Sequence, residues 1–125
     1  FSRHYKTLGE VLDAYEQRLM EEALERTRGS TDQAKDIEQI LRIAKREAVN
    51  IGFLSEQLVS HEIYKFLLQF IREELEQYGL YQNPYQLRYI AGGMSLVLGH
   101  WVSGGCRESV PRMRDIILGF PLYET

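Results

Sequence analysis

The chain has 125 residues, 44% of them hydrophobic, which suits one domain with a buried core and leaves little room for a second. A formal net charge of −3 argues against the chain itself binding nucleic acid, because a basic footprint is the usual signature. Its one cysteine, Cys106, excludes an intrachain disulfide and points to a reducing, cytoplasmic setting.

Helical spacing predicts an all-α chain of five helices. The first runs from about Thr7 to Arg28, with Leu8, Val11, Leu12, Tyr15, Leu19 and Ala23 inward. Thr7 and Glu10 form a capping-box pattern at its start, and Gly29 is placed to end it. A second helix, about Thr31 to Asn50, opens on Ser30 and Gln33 by the same logic. Ile37, Ile40, Leu41, Ala44 and Ala48 make its buried stripe, and Asp36 and Glu47 fall among the residues of its charged outer face. The run from Phe53 to Leu58 reads as a helical turn or a short helix of its own. The third long helix then spans about His61 to Tyr78 and stops at Gly79. Asn83 and Pro84 supply an N-cap and a first-turn proline for a helix ending near Ser103. This helix has no acidic residue and is apolar nearly all round, which predicts burial on most sides. Ser109 caps a last helix, Val110 to Leu118. The longest apolar stretch, Met94 to Val102, falls short of the roughly 18 residues a membrane span needs. No signal-peptide pattern opens the chain, and it begins at Phe1 rather than Met, so a preceding segment is expected.

Two stretches carry a family resemblance. The opening, Phe1-Ser2-Arg3-His4-Tyr5-Lys6-Thr7-Leu8-Gly9-Glu10-Val11-Leu12, resembles the junction in TetR-like transcriptional regulators between the DNA-recognition helix and the sensor domain. Ser2 departs from the aromatic residue usual there. The segment from Tyr89-Ile90-Ala91-Gly92-Gly93 to Gly99-His100-Trp101, followed by Gly104, Gly105 and Glu108-Ser109, resembles the penultimate helix of such sensor domains and the cap after it. Val110 here intervenes before Pro111. The likeness spans essentially the whole chain. It implies a TetR-like C-terminal helical bundle whose last two long helices pair with a second subunit in a four-helix dimer interface. It further implies that residues 1–6 are the remnant of the recognition helix and linker, and 7–125 the ligand-sensing and dimerisation domain. The helix-turn-helix head would then be largely absent.

From that resemblance Arg3, His4 and Lys6 are expected to be DNA-contact residues acting with the missing head. The aromatic and sulfur side chains Tyr15, Phe66, Phe70, Tyr89, Met94 and Trp101 are expected around a pocket for a small apolar or aromatic effector, although each also serves as ordinary core. Ile90, Gly93, Met94, Val97, Trp101, Met113 and Ile117 are expected at the homodimer interface. No buried charge cluster is expected to select a cationic or anionic ligand.

Catalysis and metal binding are not expected. His61 and Glu62 are adjacent and so point to different faces of a helix, while His100 lies on another helix, unlike the i, i+4 pair of a metal motif. Cys106 and His100 straddle a double-glycine break without an evident orienting carboxylate beyond Glu108. No paired inward carboxylates, no Ser-His-Asp order and no glycine-rich phosphate loop are read in the chain. The resulting expectation is the regulatory domain of a TetR-like repressor: no enzyme, no cofactor and no membrane partner. The alternative is a helical protein–protein adaptor module without DNA or small-molecule function.

Overall fold

The computed structural model describes residues 7–120, and these form five helices without a strand. The expected DNA-contact residues Arg3, His4 and Lys6 lie outside them.

Helix α1 (Leu8–Thr27) starts where Thr7 Oγ1 accepts the Glu10 backbone N–H at 3.1 Å. It ends as Gly29 enters the left-handed region that glycine occupies without strain. Helix α2 (Gln33–Ile51) is capped by Asp32, which accepts from the Lys35 N–H, and not by Ser30. Ser30 Oγ instead accepts the Asp32 N–H at 3.2 Å, so three consecutive capping types compete and the carboxylate wins. Helix α3 (Glu56–Gln77) is one continuous element, with Ser55 accepting from the Leu58 N–H. The separate turn expected around Phe53 to Leu58 is absorbed into its first turn and the loop before it. Helix α4 (Pro84–Ser103) begins on Asn83, whose Oδ1 accepts the N–H groups of Tyr85 and Gln86, both at 2.9 Å. Helix α5 (Val110–Leu118) is capped by Ser109.

Side-chain links fix the helix directions. Tyr15 bonds Glu47 while Arg26 bonds Gln39, so α1 and α2 are antiparallel. Lys65 meets Asp13, and Gln77 reaches the Ser30 carbonyl, so α1 and α3 run the same way. Helices α3 and α4 form an antiparallel pair, with Glu56 beside His100 and Ser60 beside Gly99. Helix α5 lies along α2, tied by Arg114 to Glu38.

The core draws on every helix: Met20, Leu41, Val59, Leu67, Leu75, Ile90, Leu98 and Ile117 are almost completely enclosed. Burial in α1 is confined to Met20, Ala23 and Thr27, whereas Leu8, expected inward, is exposed. In α2, Asp36 is buried rather than outward. No helix among the described residues is long and apolar enough to cross a membrane.

Candidate functional site

A cavity of about 60 Å3 lies among α1, α2, α3 and α4. Leu12, Leu19, Ile43, Ile63, Phe66 and Leu98 give it apolar walls. Tyr15, Glu16, Glu47 and Glu62 also line it, but with their carbon atoms: the surface it presents is almost wholly apolar. Glu16 sits four residues after Leu12 and three before Leu19, within the apolar stripe itself, so its carboxyl group is carried to the edge of this cavity.

Two polar networks border the cavity. On the α2 side the Tyr15 hydroxyl donates to Glu47 Oε1. Burial, followed by that carboxylate, raises the Tyr15 pKa. Burial alone pushes Glu47 upward, but hydrogen bonds from Tyr15, Arg46 and Asn50 outweigh it and hold Glu47 below the usual range. Arg46 also grips Glu22 with two bonds of 2.6 and 2.7 Å, lowering the Glu22 pKa.

On the α3 side the Lys65 ammonium stands 2.7 Å from Asp13, 2.9 Å from Glu62 and 3.7 Å from Glu16. Burial opposes its charge, but bonds to Asp13 and Glu62 prevail and the Lys65 pKa rises. Burial raises the Glu16 pKa; the charge of Lys65 opposes this, while the neighbouring carboxylates Glu62 and Asp13 add to it. Glu62 Oε2 is enclosed, and the Lys65 ammonium at 2.9 Å is its partner. Oxygens of Asp13, Glu16 and Glu62 all lie within 4.8 Å of one another, and the Lys65 ammonium sits among them as the resident cation.

A smaller cavity of about 20 Å3 lies between α2, α3 and α4, lined in part by Phe70, Met94, Glu74 and Tyr78. At its edge the Tyr78 hydroxyl donates to Asp36 Oδ2 at 2.8 Å. Glu74 bonds the same carboxyl group; burial, then that bond, then the Asp36 charge push the Glu74 pKa up to about 8. Asp36 and Glu74 are thus a carboxyl pair in hydrogen-bond contact between two helices, which corrects the reading that the chain has no paired inward carboxylates.

The expected pocket residues do not converge. Tyr15 and Phe66 line the cavity under α1, while Phe70 and Met94 line the one between α2, α3 and α4. Tyr89 faces solvent, and Trp101 is buried with its Nε1 donating to the Glu108 carbonyl at 3.1 Å. The expected interface residues Ile90, Met94, Trp101, Met113 and Ile117 fill the interior of this chain, Val97 is half-buried and Gly93 is exposed. His61 is exposed, His100 Nδ1 lies 3.4 Å from Glu56 Oε1, and Glu62 turns toward Lys65. Burial raises the Cys106 pKa, which keeps the thiol protonated and a poor nucleophile.

The surface of α4 is where sequence reasoning fell furthest short. Tyr85, Tyr89 and Leu96 are 84%, 74% and 66% exposed. At 100° per residue they share one stripe with Gly92 and His100. A Cβ added at Gly93 would meet nothing within 4 Å, and at Gly92 only the Tyr64 ring at 4.0 Å. No known protein family, no curated protein and no solved structure matches the chain.

Proposed function

We propose that the chain is the effector-sensing, homodimerising domain of a TetR-like transcriptional regulator. DNA binding belongs to a head joined through residues 1–6, the effector enters the cavity under α1, and the dimer forms through the solvent face of α4. A ligand that binds one arrangement of α1 better than another would change how two heads are spaced, and so change operator affinity. This is a binding module rather than an enzyme.

One observation carries the reading: the exposed stripe of α4 is self-complementary. Its residues are symmetric about the Gly92–Gly93 bond. A two-fold axis there sets Tyr89 against the second copy's Leu96, Tyr85 against its His100, and glycine against glycine. That is the form of an isologous interface. Each glycine costs a helix about 1 kcal/mol relative to alanine, and no packing among the described residues needs either one. A close crossing with a second copy does.

Light scattering at tens of micromolar tests the proposal on the chain and on Leu96→Glu. Leu96 is exposed, so the substitution leaves the protomer folded. A dimer that becomes a folded monomer supports the reading. A wild-type monomer removes it, and a monomer that binds a different helical protein through α4 points to the adaptor alternative.

A further inference from the structure

The sensor reading leaves the chemistry of the effector open, and the cavity under α1 narrows it. Its floor belongs to the core, since Ile40, Ile43, Phe66 and Leu98 are all buried. Its roof is the first part of α1, where Leu12, Tyr15, Glu16 and Leu19 are only half-buried. The carboxyl groups at its edge are engaged elsewhere, Glu62 with Lys65 and Glu47 with Tyr15, Arg46 and Asn50. A buried water needs about two to four polar partners, and these walls offer almost none, so the space stays dry. A dry void forfeits the dispersion contacts of the atoms around it, which a hydrocarbon restores.

We propose that this cavity takes the end of a short, uncharged aliphatic chain, with any polar end of the ligand left at the edge. The inference rests on the sensor reading and specifies its ligand class. Size separates a chain from a ring. At roughly 10–15 Å3 for each water-sized group, a space of about 60 Å3 takes about four carbons, fewer than an aromatic ring holds. Charge is disfavoured twice over. The walls give an ion nothing in place of its water, and an anionic head group at the edge would meet Asp13, Glu16 and Glu62 gathered there. Entry leaves the core intact, because the roof over the cavity is held by the polar links of Tyr15 to Glu47 and of Asp13 to Lys65.

The straight-chain alcohols from ethanol to hexanol, with butyrate and benzene as controls, are titrated while the Ile43 and Leu98 methyl signals are followed by NMR. Affinity is expected to rise about fourfold with each methylene as far as butanol, and to stop rising once the cavity is full. Butyrate and benzene are expected to leave the methyls unmoved. Ala44→Leu, which fills the cavity, should abolish alcohol binding. Ile63→Ala, which widens it, should carry the limit to longer alcohols, a gain that a misfolded variant would not show.

An affinity that keeps climbing at one slope through hexanol marks adsorption to exposed apolar surface and overturns the proposal. Alcohol binding that survives Ala44→Leu does the same, and so does butyrate bound as tightly as butanol. Benzene binding without alcohol binding overturns the aliphatic proposal and leaves the sensor reading standing with an aromatic effector. If no probe moves the cavity methyls, the proposal falls, and the sensor reading is decided separately by the dimer in light scattering.

Discussion

The glycines of α4 fall into two groups that meet opposite surroundings. On the side facing α3, a Cβ at Gly99 would lie 1.9 Å from Ser60 Oγ and about 3 Å from the Ser60 Cβ and Cα, so the chain's own packing demands glycine. On the solvent side Gly92 and Gly93 have room for a methyl group, and the large residues around them, Tyr85, Tyr89 and Leu96, are exposed. The same residue type on one helix therefore answers two different constraints. Among the described residues only the first has its cause. The second stays unexplained until something else approaches α4 as closely as α3 does.

Substitutions on the two sides should behave accordingly. The largest effect is expected within the interior: Ile90→Ala removes a fully enclosed side chain and should cost about 2–5 kcal/mol in denaturant unfolding. Its neighbour Tyr89→Ala should change protomer stability by less than about 0.5 kcal/mol, as surface changes do. Gly99→Ala should cost about 1–3 kcal/mol by overpacking, and Ser60→Gly in the same chain should return most of it by removing the obstructing atoms.

The interior also titrates. Glu74 holds its proton more tightly in the folded chain, since its pKa is pushed up to about 8 from the ordinary carboxylate range. Its contribution is therefore complete at low pH and is lost as pH rises through that window. Unfolding free energy should fall between pH 5 and pH 8, and Glu74→Gln should flatten that slope and stabilise the protein at pH 8. The smallest effect sharpens the contrast most. Gly93→Ala should stabilise the protomer by about 0.5–1 kcal/mol, measured at concentrations too low for association. In the proposed dimer it should weaken association, read by light scattering at higher concentration. A stabilised protomer with unchanged association would break the comparison.

Helix ends were legible because capping is local chemistry. Asn83 with Pro84, Ser109, Thr7 and the left-handed Gly29 and Gly79 set boundaries within a residue of those expected. The start of α2 was displaced because Ser30, Thr31 and Asp32 are all capping types in succession. The start of α3 was hidden because Ser55 has no Glu or Gln three residues on to complete a capping box. The orientation of α4 was not legible at all. Periodicity finds a buried face by contrast, and a helix with apolar residues on every side offers none. Ile90 and Met94 thus looked as available as Tyr89 and Leu96. The Asp36–Glu74 pair spans two helices, so it depends on their relative register, which no local pattern encodes.

The uneven burial of α1 has a mechanical consequence. Its enclosed residues, Met20, Ala23 and Thr27, all lie in the second half, while Leu12, Tyr15 and Glu16 rest over the cavity and Leu8 is exposed. The helix is a cantilever, clamped by its core residues from Met20 onward and held nearer its N-terminus by the polar links of Tyr15 to Glu47 and of Asp13 to Lys65. At 1.5 Å per residue, Tyr15 is about 7.5 Å from the clamp and Leu8 about 18 Å. A wedge that lifts the helix by 1 Å at Tyr15 should therefore swing its first turn by roughly 2.4 Å. Amide exchange in residues 11–16 should outpace that in residues 20–27, the difference that separates a segment held by half-exposed polar links from one held by the core.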